Sequence, residues 1–117
     1  MPLIQIFTSS PEPAKAARDE LLRNLSRVLS KHFEKPEQWV MTCLVAGVPM
    51  TFGGESAPAC FAAVKNVGKL PEDRATRLSE TLTATLAAGL GVPAERVYIE
   101  FTESEGRLWG WNGETFA

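Results

Sequence analysis

Histidine occurs once and cysteine twice in 117 residues, and that scarcity removes several chemistries at the outset. No Cys and His set has zinc spacing, and no Ser, His and Asp triad can be built around a lone imidazole. Cys43 and Cys60 each sit in an apolar, strand-like run and not in a spaced framework, so a disulfide-stapled secreted scaffold is not expected and a reducing, cytoplasmic setting is the default. Apolar runs are short as well, none approaching the ~18 residues that cross a bilayer, so no membrane insertion is expected. Basic excess is also missing. Fourteen acidic against twelve basic residues give a formal charge of -2, which provides no field to hold phosphate backbones and argues against nucleic acid as a partner. Met1 to Phe7 has no positive charge before Lys15 and is too short for a signal peptide, so it is read as mature structure. The sequon Asn24-Leu25-Ser26 falls inside a helical pattern and carries no weight.

What is present is the balance of a folding chain: 44% apolar and 22% charged residues, at a length that fits one domain spanning 1–117. Leu3 to Ser9 reads as a strand, and the Ser9-Ser10-Pro11-Glu12-Pro13 stretch as the turn after it. From Ala17 onward Leu21, Leu25, Val28 and Leu29 recur at helical spacing with charged residues between them, until Lys35-Pro36 ends the helix. Trp39 to Val45 follows as a second strand. A loop punctuated by Gly47, Pro49 and Gly53-Gly54 holds at most a short extended piece around Met50 to Phe52. The pattern then recurs: Cys60 to Val67 as a third strand, Pro71 in the first turn of a helix carrying Leu78, Leu82, Leu86 and Leu90, Gly89, Gly91 and Pro93 as its stop, and Val97 to Thr102 as a fourth strand.

Pro36 and Val40 recur as Pro93 and Val97, an offset of 57 in both pairs, which points to a duplicated βαβ unit. Each unit needs a crossover helix between parallel strands. The expected fold is therefore α/β (α+β), one four-stranded sheet with two helices on one face. In the second strand Trp39, Met41, Cys43 and Val45 alternate with Val40, Thr42 and Leu44, so both sheet faces read as apolar while two helices can cover only one. The uncovered face is expected to pack against further copies of the chain, making a homo-oligomer.

Candidate chemistry is sparse. His32 is read as a solvated imidazole favourable to the helix C-terminus. Gly89-Leu90-Gly91 closes a helix and lacks the third glycine of a dinucleotide fingerprint. Neither a cofactor nor a metal is expected. Pro2 remains. Initiator methionine is generally removed before a small residue, and a freed Pro2 would carry a secondary amine whose pKa an apolar surround or a nearby cation would lower, leaving a base at neutral pH. As a bare residue, Pro2 is equally a proline at the start of an edge strand.

The stretches Lys35-Pro36, Phe52-Gly53-Gly54, Val67-Gly68-Lys69, Arg96-Val97-Tyr98-Ile99, Trp111-Asn112 and Thr115-Phe116-Ala117, read in order with Pro2, resemble the macrophage migration inhibitory factor and D-dopachrome tautomerase family across nearly the whole chain. The resemblance implies a trimer of duplicated βαβ units with sites at the subunit boundaries. It further implies keto-enol tautomerisation of phenylpyruvate-like acids by the freed Pro2. Lys35 and the backbone N–H of Val67 match positions that meet the anionic substrate, and Tyr98 matches a tyrosine supplied by the adjacent subunit. Trp109, Trp111 and Phe116 would wall the aryl end of the site or pack across the subunit boundary. The family also implies a cytoplasmic protein that can be released without a signal peptide. A cytokine-like alternative, in which a protein receptor recognises the trimer and the pocket is vestigial, comes from the same resemblance.

Several residues depart from the family pattern. Glu100 stands where the mammalian proteins have asparagine, and a carboxylate near Pro2 would raise the amine pKa and repel a keto acid. Pairing with Lys35, exposure to solvent, or activation of water as in hydratase branches of the superfamily are the other roles open to it. Trp109 replaces a smaller aliphatic residue and narrows the expected pocket. The Cys-x-x-Cys positions fall on Ala59 and Ala62, so no dithiol chemistry is expected, and Cys60 reads as a small core residue.

Overall fold

A computed structural model describes all residues, 1–117. Strand β1 (Leu3–Thr8) leads to helix α1 (Lys15–Phe33), a short 3-10 turn (Glu37–Trp39) and β2 (Met41–Val45). The second half repeats this with β3 (Cys60–Val67), α2 (Glu72–Leu90), a 3-10 turn (Ala94–Arg96) and β4 (Val97–Ser104). A small hairpin, β5 (Gly110–Trp111) and β6 (Glu114–Thr115), closes the chain. The main sheet has the order β2-β1-β3-β4; β1 with β2 and β3 with β4 are parallel, and the two halves join through antiparallel β1 and β3. The expected duplicated βαβ sheet is therefore the one found.

The duplication holds to the residue in the helices. Both ends of α1 and both 3-10 boundaries recur 57 positions later, as do the buried Leu21, Leu25, Leu29 and Phe33, answered by Leu78, Leu82, Leu86 and Leu90. These side chains enclose one core with Ile4, Ile6, Ala62 and Val64, which project from alternate positions of the central strands. Burying each leucine contributes roughly 1.5–3 kcal/mol, so this interleaved layer dominates what holds the halves together.

The opposite sheet face has no helical cover. Register sets Val45, Phe7, Phe61 and Tyr98 in one row, Cys43, Gln5, Ala63 and Glu100 in the next, and Met41, Leu3, Lys65 and Thr102 in a third. Met41 is 64% and Tyr98 65% exposed. The face is mixed, an aromatic row beside a polar one, and is not the uniformly apolar surface that β2 alone implied.

Several expectations need correction. Trp39 belongs to the 3-10 turn, so β2 begins at Met41; Pro36 ahead of the turn and the 3-10 bond from Trp39 N–H to Pro36 O keep the chain from extending sooner. Helix α1 starts at Lys15, ahead of the first apolar repeat, because Pro13 is the last residue that breaks the pattern. Pro71 lies just outside α2 in extended conformation. Tyr98 is exposed on the open face of β4, a sheet-edge strand whose Val97, Ile99 and Phe101 take the core side. His32 is partly buried and not fully solvated, and burial first, then Lys31, Arg77 and Arg74, push its pKa down. The C-terminal hairpin has no counterpart among the expected elements.

Candidate active site

Strand β1 presents Leu3, Gln5 and Phe7 to the open face, which sends Pro2 to the helix side, where it is fully buried. Its carbonyl accepts from Met41 N–H at 3.0 Å, tying it to the start of β2. Around it opens a cleft of about 230 Å³ lined by Met1, Pro2, Trp39, Met41, Trp109 and Trp111, with Phe116 among the remaining wall residues. Trp39 meets Trp111 edge-on at 4.8 Å and Phe116 at 6.2 Å, while Trp111 and Phe116 stack at 6.3 Å. Such edge and offset geometries suit the ring quadrupoles and make a stiff aromatic wall. The Phe116 N–H donates to Gly106 O at 3.1 Å and to Trp109 O at 3.2 Å, which folds the C-terminal segment over the cleft. Gly106 is required there, since a Cβ on it would lie 2.1 Å from Phe116 O.

Lys35 reaches this region through the end of α1. Glu34 takes the left-handed conformation at φ 53°, its N–H donates to Lys31 O, and the Lys35 N–H donates to Ser30 O at 3.1 Å. That is the double bond of a Schellman cap, here built without glycine. The Ser30 hydroxyl donates back to Lys35 O at 2.6 Å, locking the backbone from both sides. The ammonium of Lys35 bears on the chain's terminal amine: burial first, and then the charge of Lys35, push the Met1 amine below its ordinary value. The same amine lies 3.4 Å from Asn66 Oδ1, the residue before Val67. The α-amino end, Lys35 and the end of β3 are thus one neighbourhood.

Tyr98 and Glu100 are not part of it within one chain. Tyr98 is level with Phe7 across Phe61, and at ~3.4 Å per residue and ~4.8 Å per strand it stands roughly 20 Å from Pro2. Glu100, level with Gln5, is roughly 14 Å away by the same measure. Glu100 is exposed and forms no ion pair with Lys35. Tyr98 instead borders a second recess of about 310 Å³ with Met50, Phe52, Cys60 and Phe61. Its ring lies 4.8 Å from that of Phe52. Val67 opens toward a third hollow with Gly68, Lys69 and Glu103.

Trp39, in the 3-10 turn, and Met41, the first residue of β2, are cleft residues outside every motif singled out in the sequence. The signal for Trp39 was the preceding Lys35-Pro36, which starts a turn and so turns the indole off the sheet. Cys60 is buried and its thiol pushed up to about 11 by burial, as suits a core side chain. Cys43 is exposed on β2, and no disulfide forms.

The duplicated βαβ sheet with an aromatic cleft over the chain start defines a tautomerase-type fold, and solved structures share it. A macrophage migration inhibitory factor homologue from Prochlorococcus marinus superposes with TM-score 0.93 at 45% identity, over 98% of this chain and 99% of that one. Macrophage migration inhibitory factor of Toxoplasma gondii superposes with TM-score 0.91 at 28% identity, over 97% and 99%. Among sequences, a macrophage migration inhibitory factor homolog of Trichuris trichiura is 34% identical over 95% of this chain and 98% of its own length. The family profile "Macrophage migration inhibitory factor (MIF)" matches residues 1–117. The chain belongs to the macrophage migration inhibitory factor family, within the tautomerase superfamily. No helix is long and apolar enough to cross a membrane.

Proposed function

We propose that this protein, after loss of Met1, is a keto-enol tautomerase of small aryl or alkyl keto acids of the phenylpyruvate type, with the Pro2 nitrogen as general base. The observation that carries the reading is a buried Pro2 at the floor of an aromatic-walled cleft, next to a terminal amine already weakened as a base for protons by burial and by Lys35. With Met1 attached, the Pro2 nitrogen is an amide and takes no proton at neutral pH. Without it, the secondary amine lies deeper than the Met1 amine does now. Both causes then act on it in the same direction, toward the neutral form.

The reaction is a proton transfer in two steps. Neutral Pro2 nitrogen takes the proton from the carbon beside the carbonyl; the C–H electron pair becomes the C=C bond and the carbonyl pair moves onto oxygen. The ammonium of Pro2 or a water then returns a proton to that oxygen, giving the enol. Negative charge builds on oxygen in the transition state, where fixed donors and cations give the largest rate benefit. Lys35 is the cation that holds the substrate carboxylate, and the Val67 N–H is the backbone donor. Tyr98 completes the site from an adjacent protomer of a homotrimer, since it stands too far from Pro2 in its own chain. Trp109, Trp111 and Phe116 hold the aryl group. Glu100, entering beside Tyr98, works against both base and binding, favouring the protonated amine and repelling the substrate carboxylate, and so restricts which keto acids are turned over.

Pro2→Gly, processed at Met1, tests the reading against native protein with phenylpyruvate. A loss of about a hundredfold or more in kcat is expected, the lower end of what a positioned base supplies. Undiminished turnover refutes the proline role. The relatives' shared name favours a second, cytokine-like reading, in which a protein partner binds the trimer surface. Binding of that kind survives Pro2→Gly.

A further inference from the structure

The segment between β2 and β3 has almost no regular pairing of its own. It contains one isolated bridge, Phe52 with Glu55, on either side of left-handed Gly53 and Gly54. Its two ends are tied to the end of β1, through Gly47 N–H to Ser10 O and Val48 N–H to Thr8 O at one side and through Ala59 with Thr8 and Ser9 at the other. The turn between them is held to the rest of the fold by one side chain. Arg96, at the end of the 3-10 turn before β4, donates from Nε to Pro58 O at 2.8 Å and from Nη1 to Phe52 O at 3.3 Å. Its Nη2 donates to Glu55 O at 3.1 Å and to Ala57 O at 2.9 Å. No carboxylate pairs with it, so the guanidinium charge is spent entirely on loop carbonyls. The same guanidinium lies 5.3 Å from the Phe52 ring centroid. That ring in turn meets Tyr98 at 4.8 Å. A planar, five-donor fork can hold four carbonyls and a ring at once, whereas an ammonium on a flexible stem cannot.

We infer that Arg96 is a positioning residue: by clamping the Phe52–Glu55 turn it fixes the Phe52 ring and, through it, the direction in which Tyr98 leaves the sheet. Its consequence for substrate rests on the function proposed above, where Tyr98 meets the substrate in a neighbouring protomer's cleft. There the clamp sets how well substrate is held and leaves the proton transfer at Pro2 alone.

Tyr98 is the only tyrosine in the chain, so fluorotyrosine labelling gives a single resonance that reports this ring whether or not the protein turns over. In Arg96→Lys that resonance is expected to shift and broaden, Phe52→Leu is expected to do the same, and the double variant to add little, as for residues acting through one another. With phenylpyruvate, Arg96→Lys is expected to raise KM about fivefold to tenfold, the worth of roughly one oriented hydrogen bond, with kcat within about twofold. An unmoved resonance in a folded Arg96→Lys, additive effects in the double variant, or a loss confined to kcat overturns the clamp. Should Arg96→Lys fail to fold, Arg96→Gln, which keeps a two-donor amide but loses the five-donor fork, decides by the same resonance. Absence of turnover in the native protein refutes the tautomerase reading instead, and the resonance still decides for or against Arg96.

Discussion

The helices of the two halves begin, bury their leucines and end at matching positions, yet their last residues differ. The left-handed cap is Glu34 at φ 53° in the first half and Gly91 at φ 67° in the second. Glycine takes that conformation freely, while any side chain there costs about 1 kcal/mol or more. Glu34 is followed by Lys35, beside the chain's amino end, and Gly91 by Val92, which is buried in the core. The second half thus keeps the relaxed cap and fills the interior. The first carries a strained cap where a charge is brought to bear on the chain's amino end. The starting strands diverge in the same sense. Gln5 lies opposite Ala63 at the centre of the antiparallel pair, which puts Pro2 in correspondence with buried Cys60. One position is a candidate base and the other is packing. Met41 and Tyr98 also correspond and are almost equally exposed, at 64% and 65%, but only one can donate a hydrogen bond.

Substitutions in matched pairs sharpen or break this division. The largest expected difference is between the two clefts: Pro2→Gly loses about a hundredfold or more in kcat, whereas Tyr98→Phe, which removes one donor, loses about tenfold in kcat/KM. Equal losses would erase the distinction. Leu25→Ala and Leu82→Ala, each emptying a fully buried position of the shared core, are each expected to destabilise by about 2–5 kcal/mol in chemical denaturation. A clear asymmetry between them would mean the halves are not equivalent in packing. At the caps the signs should oppose. Gly91→Ala has open space for its Cβ and is expected to cost about 1 kcal/mol from backbone conformation alone, while Glu34→Gly is expected to stabilise by up to about 1 kcal/mol. Glu34 gives up only an exposed 3.8 Å pair with Arg74 in that change.

The smallest effect concerns His32. Burial lowers its pKa first, and Lys31, Arg77 and Arg74 lower it further, although Glu34 and Asp73 partly neutralise the two arginines. A cationic group with a depressed folded pKa binds fewer protons in the native state than in the unfolded one. Its contribution is full above the ordinary value near ~6.5 and is lost as pH falls through that value to the folded one. Melting followed across that window should show a slope that His32→Gln reduces. An unchanged slope would assign the pH dependence elsewhere.

The frame was open to reading because it rests on period and punctuation. Leucines at every fourth position, Pro36 and Pro93 at the same offset, and the alternation in β1 fix helices, halves and sheet without tertiary information. Whatever depended on which strand sits at an edge was not readable. The exposure of Tyr98 follows from β4 being terminal in the sheet, and the mixed character of the open face follows from rows assembled across four strands. The turn of Trp39 into the cleft follows from a backbone bond to Pro36 that periodicity does not reveal. Arg96 was visible only as part of a family stretch. Its four carbonyl partners lie 38 to 44 residues away and have no side-chain signature. Among the candidate site residues, Pro2, Trp109, Trp111 and Phe116 come together in one chain, with Lys35 acting on the same amine. Tyr98 and Glu100 stand apart from that cleft, while Val67 follows Asn66, whose side chain meets the Met1 amine, and opens toward a neighbouring hollow.

The most direct measurement is the protonation of the Pro2 nitrogen itself, followed by proline-selective nitrogen NMR in protein shown by intact mass to lack Met1. A pKa well below the ordinary ~8 of an α-amino group, rising on Lys35→Gln and coinciding with the acid limb of kcat/KM for phenylpyruvate, is the expected result. A nitrogen still fully protonated at and above that value, or one indifferent to Lys35, would contradict the base assigned to Pro2.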